Sequence, residues 1–209
     1  MLTQIFRSGV AAVMVLIALM PLLATGDGIE VAAFNKVTIS VAGKTQIHPS
    51  AEYRVSVKAD DSALQRIKVE VDGDTLRVYC PENCGSLHHD GVEVYVPTVN
   101  AVRLLNGGHI ELKSGMSAVD ALVLTIHNGG TINASTVVAQ QVEAEIYNGG
   151  RIVLTACKQL DARIRNGGNV QYFGPAALVK DVINGGSISN AKNSATSATC
   201  GVISDEAAR

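Results

Sequence analysis

The triplet Asn-Gly-Gly occurs five times in the C-terminal half of this chain, beginning at Asn106, Asn128, Asn148, Asn166 and Asn184. The intervals are 22, 20, 18 and 18 residues. A short, nearly fixed period belongs to stacked units, each of which buries its apolar face only against the next. Two positions before the asparagine stand Leu104, Ile126, Ile146, Ile164 and Val182. Two past the second glycine stand Ile110, Ile132, Ile152, Val170 and Ile188. Four before are Val102, Leu124, Ala144, Ala162 and Lys180, and six before are Asn100, Leu122, Val142, Leu160 and Leu178. This is the period-two alternation of strands, held in register from unit to unit. It predicts a short parallel, right-handed β-helix over 101–190 with coils of 18–22 residues.

The triplet itself reads as a corner. Its glycines permit positive φ without a Cβ clash. Continuing the alternation turns the asparagine inward, so Asn106, Asn128, Asn148, Asn166 and Asn184 are expected to form an internal ladder. Each amide would donate to one neighbour and accept from the other, satisfying groups that are costly to bury alone. A phosphate-cradling loop is the weaker reading, because no helix start follows and the motif recurs. A leucine-rich repeat places its asparagine three residues after the last strand leucine. Here the gap is two, and no helical pattern fills the rest of the coil.

Ahead of the repeats, residues 27–100 read as an antiparallel β region. Val37–Val41 and Tyr53–Val57 alternate, and Ile67, Val69 and Val71 alternate with charged residues. Asp72-Gly73-Asp74 then turns the chain into Leu76, Val78 and Cys80, a hairpin signal. Val92, Val94 and Val96 form a further strand, stopped by Pro97. Residues 191–209, rich in Ala, Ser and Thr, read as a tail that caps the last coil. Left uncapped, the last strand offers an edge for self-association.

Residues 1–26 read as a secretory signal: Arg7, an apolar run from Gly9 to Met20, Pro21, then small residues at Ala24-Thr25-Gly26. The competing reading, an uncleaved anchor, needs about 20 apolar residues to cross a bilayer. The whole apolar stretch here, Gly9 through Ala24 with the proline included, is 16 residues. Without Arg7, 16 Lys and Arg face 19 Asp and Glu, a net −3. So weak and scattered a charge makes no electrostatic case for nucleic acid or an anionic membrane, and no second long apolar run predicts a span in the mature chain. Cys80, Cys84, Cys157 and Cys200 make an even count, which suits disulfides in an exported chain. Of three possible pairings, the closeness of Cys80 and Cys84 favours Cys80–Cys84 with Cys157–Cys200.

At this point the chain resembles the head GIN domain family of auto-transporter adhesins. The likeness spans roughly residues 34–190. It runs from Phe34-Asn35-Lys36-Val37 through the Asp72-Gly73-Asp74-Thr75-Leu76 hairpin and Val92-Glu93-Val94-Tyr95-Val96-Pro97 to Gly174-Pro175. Family corners are often Ser-Gly-Ser-Gly where this chain has Asn-Gly-Gly. The resemblance implies an exported β-helix-like domain of the periplasm, outer-membrane surface or extracellular space, with no established enzymatic activity. It assigns no binding residues.

The outward columns are where chemistry would sit. One before each asparagine lie Leu105, His127, Tyr147, Arg165 and Ile183, and three before lie Arg103, Thr125, Glu145, Arg163 and Asp181. Their centre, His127, Tyr147, Arg165, Glu145 and Arg163, is the candidate binding face for glycan, surface polymer or an envelope protein. The plainer reading is a solvated sheet with cross-strand ion pairs worth under about 1 kcal/mol each. Cys80, Cys84, His88 and His89 offer a soft ligand set for zinc or copper, but their spacing fits no common zinc signature and export favours the disulfide. No cofactor is expected. A polysaccharide lyase or hydrolase is the alternative class, with Glu143, Glu145 and Asp161 near one another. Arg163 and Arg165 lie beside them, so a charge-paired surface accounts for them without a reaction, and no catalytic residue is assigned.

Overall fold

The computed structural model describes residues 28–81, 89–191 and Cys200, with the side chains of His89 and Asp90 left aside. The expected signal segment 1–26 and the capping tail, apart from Ala191 and Cys200, lie outside the described residues. The elements in chain order are β1 (Ile29–Glu30), β2 (Lys36–Ile39), β3 (Lys44–Pro49), β4 (Arg54–Ala59), α1 (Asp61–Arg66), β5 (Lys68–Asp72), β6 (Thr75–Tyr79) and β7 (His89–Val96). The repeats then supply β8 (Ala101–Asn106), β9 (His109–Leu112), β10 (Val119–Asn128), β11 (Thr131–Asn148), β12 (Arg151–Asn166), β13 (Asn169–Phe173), β14 (Ala177–Val182) and β15 (Ser187–Asn190).

These strands form two layers around one apolar core. The first layer runs β6, β2, β8, β10, the second half of β11, the second half of β12, then β14, all parallel. The second runs β7, β3, β9, the first halves of β11 and β12, β13 and β15, also parallel. The protein is thus all-β with a solenoid at its centre, as the alternation predicts. The columns stack as copies: Leu104 beside Ile126, Ile126 beside Ile146, Ile146 beside Ile164. All four are fully buried.

The N-terminal region contains the expected antiparallel pairs, β5 on β6, β4 on β7 and β1 on β4. It also continues the parallel stack, since β2, β3, β6 and β7 extend both layers. The stacking order departs from chain order here. The pair β2–β3 lies between β8–β9 on one side and the later β6–β7 on the other. Helix α1 goes beyond the strand-only reading. Asp60 caps it by accepting from the Ala63 N–H at 2.8 Å, and Ala63 is its buried anchor.

The two glycines of a corner serve different needs. Gly129 takes φ +72 and a Cβ there would meet nothing within 4 Å, so its role is backbone conformation. At Gly130 a Cβ would fall 2.6 Å from the Gly108 carbonyl oxygen and 2.7 Å from Leu104 Cδ2, so any side chain would push the coils apart. The carboxamides stack: Asn128 Nδ2 donates to Asn106 Oδ1 (3.4 Å), Asn148 to Asn128 (3.1 Å), Asn166 to Asn148 (3.0 Å) and Asn184 to Asn166 (3.0 Å). The inward placement requires correction, because all five asparagines are exposed. The chain has already begun to bend at the asparagine, so the two-residue alternation no longer sets its direction. In solvent each such bond adds on the order of 1 kcal/mol or less.

The opposite corner carries its own hydroxyl bonds, Thr136 Oγ1 to the Leu112 carbonyl (2.7 Å) and Thr155 Oγ1 to the Ser135 carbonyl (2.8 Å). Cys157 and Cys200 are joined there by a disulfide. Cys80 is disulfide-bonded as well; Cys84, its expected partner, lies outside the described residues. Among the described residues no helix is long and apolar enough to cross a membrane.

Candidate functional site

Alternation sends one residue of every pair outward, so the exposed side of the first layer is a grid of rows one coil apart. His127 and Tyr147 are neighbours in one row. Their rings stack with centroids 4.6 Å apart and planes 5° off parallel. Because the two residues sit on adjacent strands, the stacking direction runs along the solenoid. The ring faces therefore cover each other, and the edges meet solvent. Arg165 continues the row and pairs with Asp181 at 3.6 Å. The Tyr147 hydroxyl donates to Glu145 Oε2 at 3.1 Å, and this bond raises the phenol pKa above its ordinary value.

One row over, Arg163 gathers three carboxylates. Its Nη1 lies 2.9 Å from Glu143 and 3.7 Å from Glu145, and its Nη2 lies 2.8 Å from Asp161. Asp161 foremost, with Glu143 and Glu145, holds the guanidinium charged. A shallow cleft of about 240 Å³ opens beside this cluster, lined by Ala121, Val123, Gln141, Glu143, Gln159, Asp161 and Arg163 among others. Glycoside cleavage needs two carboxyl groups facing each other across a bound sugar. Here the carboxylates converge on one guanidinium instead. The structure thus brings His127, Tyr147, Glu145, Arg163 and Arg165 onto a single open face.

The proposed soft-metal quartet is not assembled among the described residues. Cys84 and His88 lie outside them, the His89 side chain is not described, and the Cys80 sulfur is committed to a disulfide, which removes the thiolate a metal requires. Among the described residues no group of three or more His, Cys, Asp and Glu is placed to hold an ion.

A second polar cluster, on the outer side of the other layer, escaped the sequence reading. Tyr95 is sandwiched between Arg54, 4.4 Å from its ring centroid, and His48, stacked at 4.9 Å. Its hydroxyl donates to Glu93 Oε2 (3.1 Å), and Glu93 also pairs with Lys58 (2.7 Å). Burial lowers the His48 pKa, while the bond from Lys58 lowers that of Glu93. These residues come from three strands lying outside the repeats. Alternation marks each as outward, but nothing local announces that they meet.

A family model described as "Putative auto-transporter adhesin, head GIN domain" matches residues 33–123 and 115–176, more than half of the chain. A search of curated proteins finds no match. Among solved structures, a putative adhesin from Bacteroides fragilis NCTC 9343 is 19% identical with a TM-score of 0.52, covering 78% of this chain and 94% of that one. A putative adhesin from Parabacteroides merdae ATCC 43184 is 16% identical with a TM-score of 0.42, at 78% and 94% coverage. A putative lipid binding protein from Parabacteroides distasonis ATCC 8503 is 17% identical with a TM-score of 0.38, at 78% and 95% coverage. The first of these shares the fold with this chain. By the extent of the family match, the chain belongs to the head GIN domain family of putative auto-transporter adhesins.

Proposed function

We propose that this protein is a non-enzymatic, exported binding module of the cell envelope, and that it engages a glycan or other polar surface polymer on the outer face of the first layer. One observation carries the reading. The His127–Tyr147 pair presents ring edges, not faces, with Arg165 next in its row and the Arg163 carboxylate cluster one row over. Such a surface favours hydrogen bonding to hydroxyl and carboxylate groups spaced along a polymer over stacking against a sugar ring. Family membership supports export and adhesion as the setting. The periplasm, the outer-membrane surface and the extracellular space all suit it.

The test is binding of the mature chain to glycan arrays and isolated envelope polymers, with Tyr147→Ala and Arg165→Ala made together. Both positions are partly exposed, so the fold should tolerate the change. Loss of binding supports the reading. Binding that survives this pair but fails with Arg54→Ala moves the site to the other layer.

A further inference from the structure

The five corners share one local sequence but not one environment. At the first three the glycine after the asparagine is clamped. Gly107 N–H donates to the Asn128 carbonyl, Gly129 N–H to that of Asn148 and Gly149 N–H to that of Asn166, each at 3.0 Å. The side chains of Asn106, Asn128, Asn148 and Asn166 each accept a hydrogen bond from the next coil. Among the described residues the last corner lacks both restraints. Asn184 takes φ 56, the one positive value at a non-glycine position among the described residues. No bond from Gly167 N–H to the Asn184 carbonyl is present, and on this side the last backbone bond between the two coils is Ile183 N–H to the Ile164 carbonyl (2.7 Å) among the described residues. Among the described residues, neither Gly167 nor Gly185 donates a backbone hydrogen bond, and Asn184 Oδ1 accepts none. Asn184, like the other four asparagines, is exposed, so solvent base reaches it.

We propose that Asn184 is a self-modification site, where the chain converts its own carboxamide to a carboxylate. The Gly185 main-chain nitrogen loses its proton to solvent base and attacks Asn184 Cγ. The new N–C bond closes a cyclic imide, and the side-chain nitrogen leaves as ammonia. Water then opens the imide at either carbonyl, giving aspartate or isoaspartate. Nothing is oxidised or reduced, and water is the only co-reactant. Gly185 suits the attack because it has no Cβ to obstruct ring closure and its N–H holds no partner among the described residues. At Asn106, Asn128 and Asn148 the same step must first break the glycine's bond and the ladder bonds of the carboxamide.

The product has a directional consequence. A carboxylate at 184 replaces a donor with an acceptor facing Asn166 Oδ1, so that rung opens. Gly167 N–H is already unclamped, which makes Asn166 the next to convert. The ladder ages from its open end inward.

The experiment is peptide mapping by fragmentation mass spectrometry on the intact chain, disulfides retained, incubated at several pH values. Expected is conversion at Asn184 first, then Asn166, with Asn106, Asn128 and Asn148 slower by several-fold and the rate rising with pH. In denaturant under reduction the five sites should converge, since each is the same Asn-Gly-Gly. Asn184→Gln should preserve the last rung and slow Asn166. Native rates at Asn128 or Asn148 equal to that at Asn184 would overturn the proposal. So would a ranking that persists after unfolding, or a rate indifferent to pH.

Discussion

At the amino-terminal end of the solenoid both layers are closed by chain running the other way, β5 on the edge of β6 and β4 on the edge of β7. The strands beneath are well covered: Leu76, Val78, Val92 and Val94 are at most 1% exposed. At the carboxy-terminal end all six residues of β14 are exposed. Leu178 and Val182 stand in the same columns as Leu160 and Ile164, yet are 36% and 40% accessible where their predecessors are at zero. An apolar column becomes core only where a further coil covers it. Lys180 shows how the stack stops. It occupies the column of Leu124, Ala144 and Ala162, and another coil would bury its charge unpaired.

This contrast can be broken most strongly at the disulfide. Cys157 and Cys200 are 43 residues apart, and loop-closure entropy for that span corresponds to about 4 kcal/mol. Replacing both by alanine should lower the denaturation midpoint accordingly and speed hydrogen exchange in β14 before β8. Equal acceleration at both ends would mean that the bridge does not act on the bare end. The next largest effect lies within one column. Ile146→Ala, in a fully buried site, should cost about 3 kcal/mol, whereas Val182→Ala should cost under about 1 kcal/mol. Urea titrations giving similar losses would show that the last coil is covered after all. The smallest effect is at the covered end. Burial holds the His48 pKa below the usual 6.5. As the pH falls through 6.5 the unfolded chain takes up the proton first, so stability declines with acidification until the lower folded value is passed. Exchange in β3 and β7 should quicken over that window, and His48→Gln should flatten the slope.

Much of the solenoid was legible because its units repeat. The columns through Ile110, Ile132, Ile152 and Val170 and through Leu104, Ile126, Ile146 and Ile164 read as inward from alternation alone, and all eight are fully buried. The hairpin at Gly73-Asp74 was equally readable, with Asp72 directly opposite Thr75. The asparagine direction was not, since alternation holds for straight strands and the chain bends at the triplet. Nor was the placement of β6–β7 outside β2–β3, because alternation states which face is buried and says nothing about which distant strand lies alongside. Helix α1 had a readable start in Asp60-Asp61-Ser62, but one turn and a half carries too little periodicity to stand out. The grouping of His127, Tyr147, Glu145, Arg163 and Arg165 followed from the repeat register. The Arg54–Tyr95–His48 sandwich depends on β4 running opposite to β7, a pairing no repeat encodes.

The interleaved position of β2–β3 bears on how the molecule assembles. Lys36 and Ala101, side by side in the sheet, are 65 residues apart in the chain. Joining them requires a long closure whose entropic cost precedes any reward. A polypeptide entering from its amino terminus must therefore hold β2 and β3 without neighbours on either side until β6 to β8 have arrived. Every later coil lays down on an edge that already exists. The slow step of folding belongs to the first half of the molecule, and the remainder can follow by zippering.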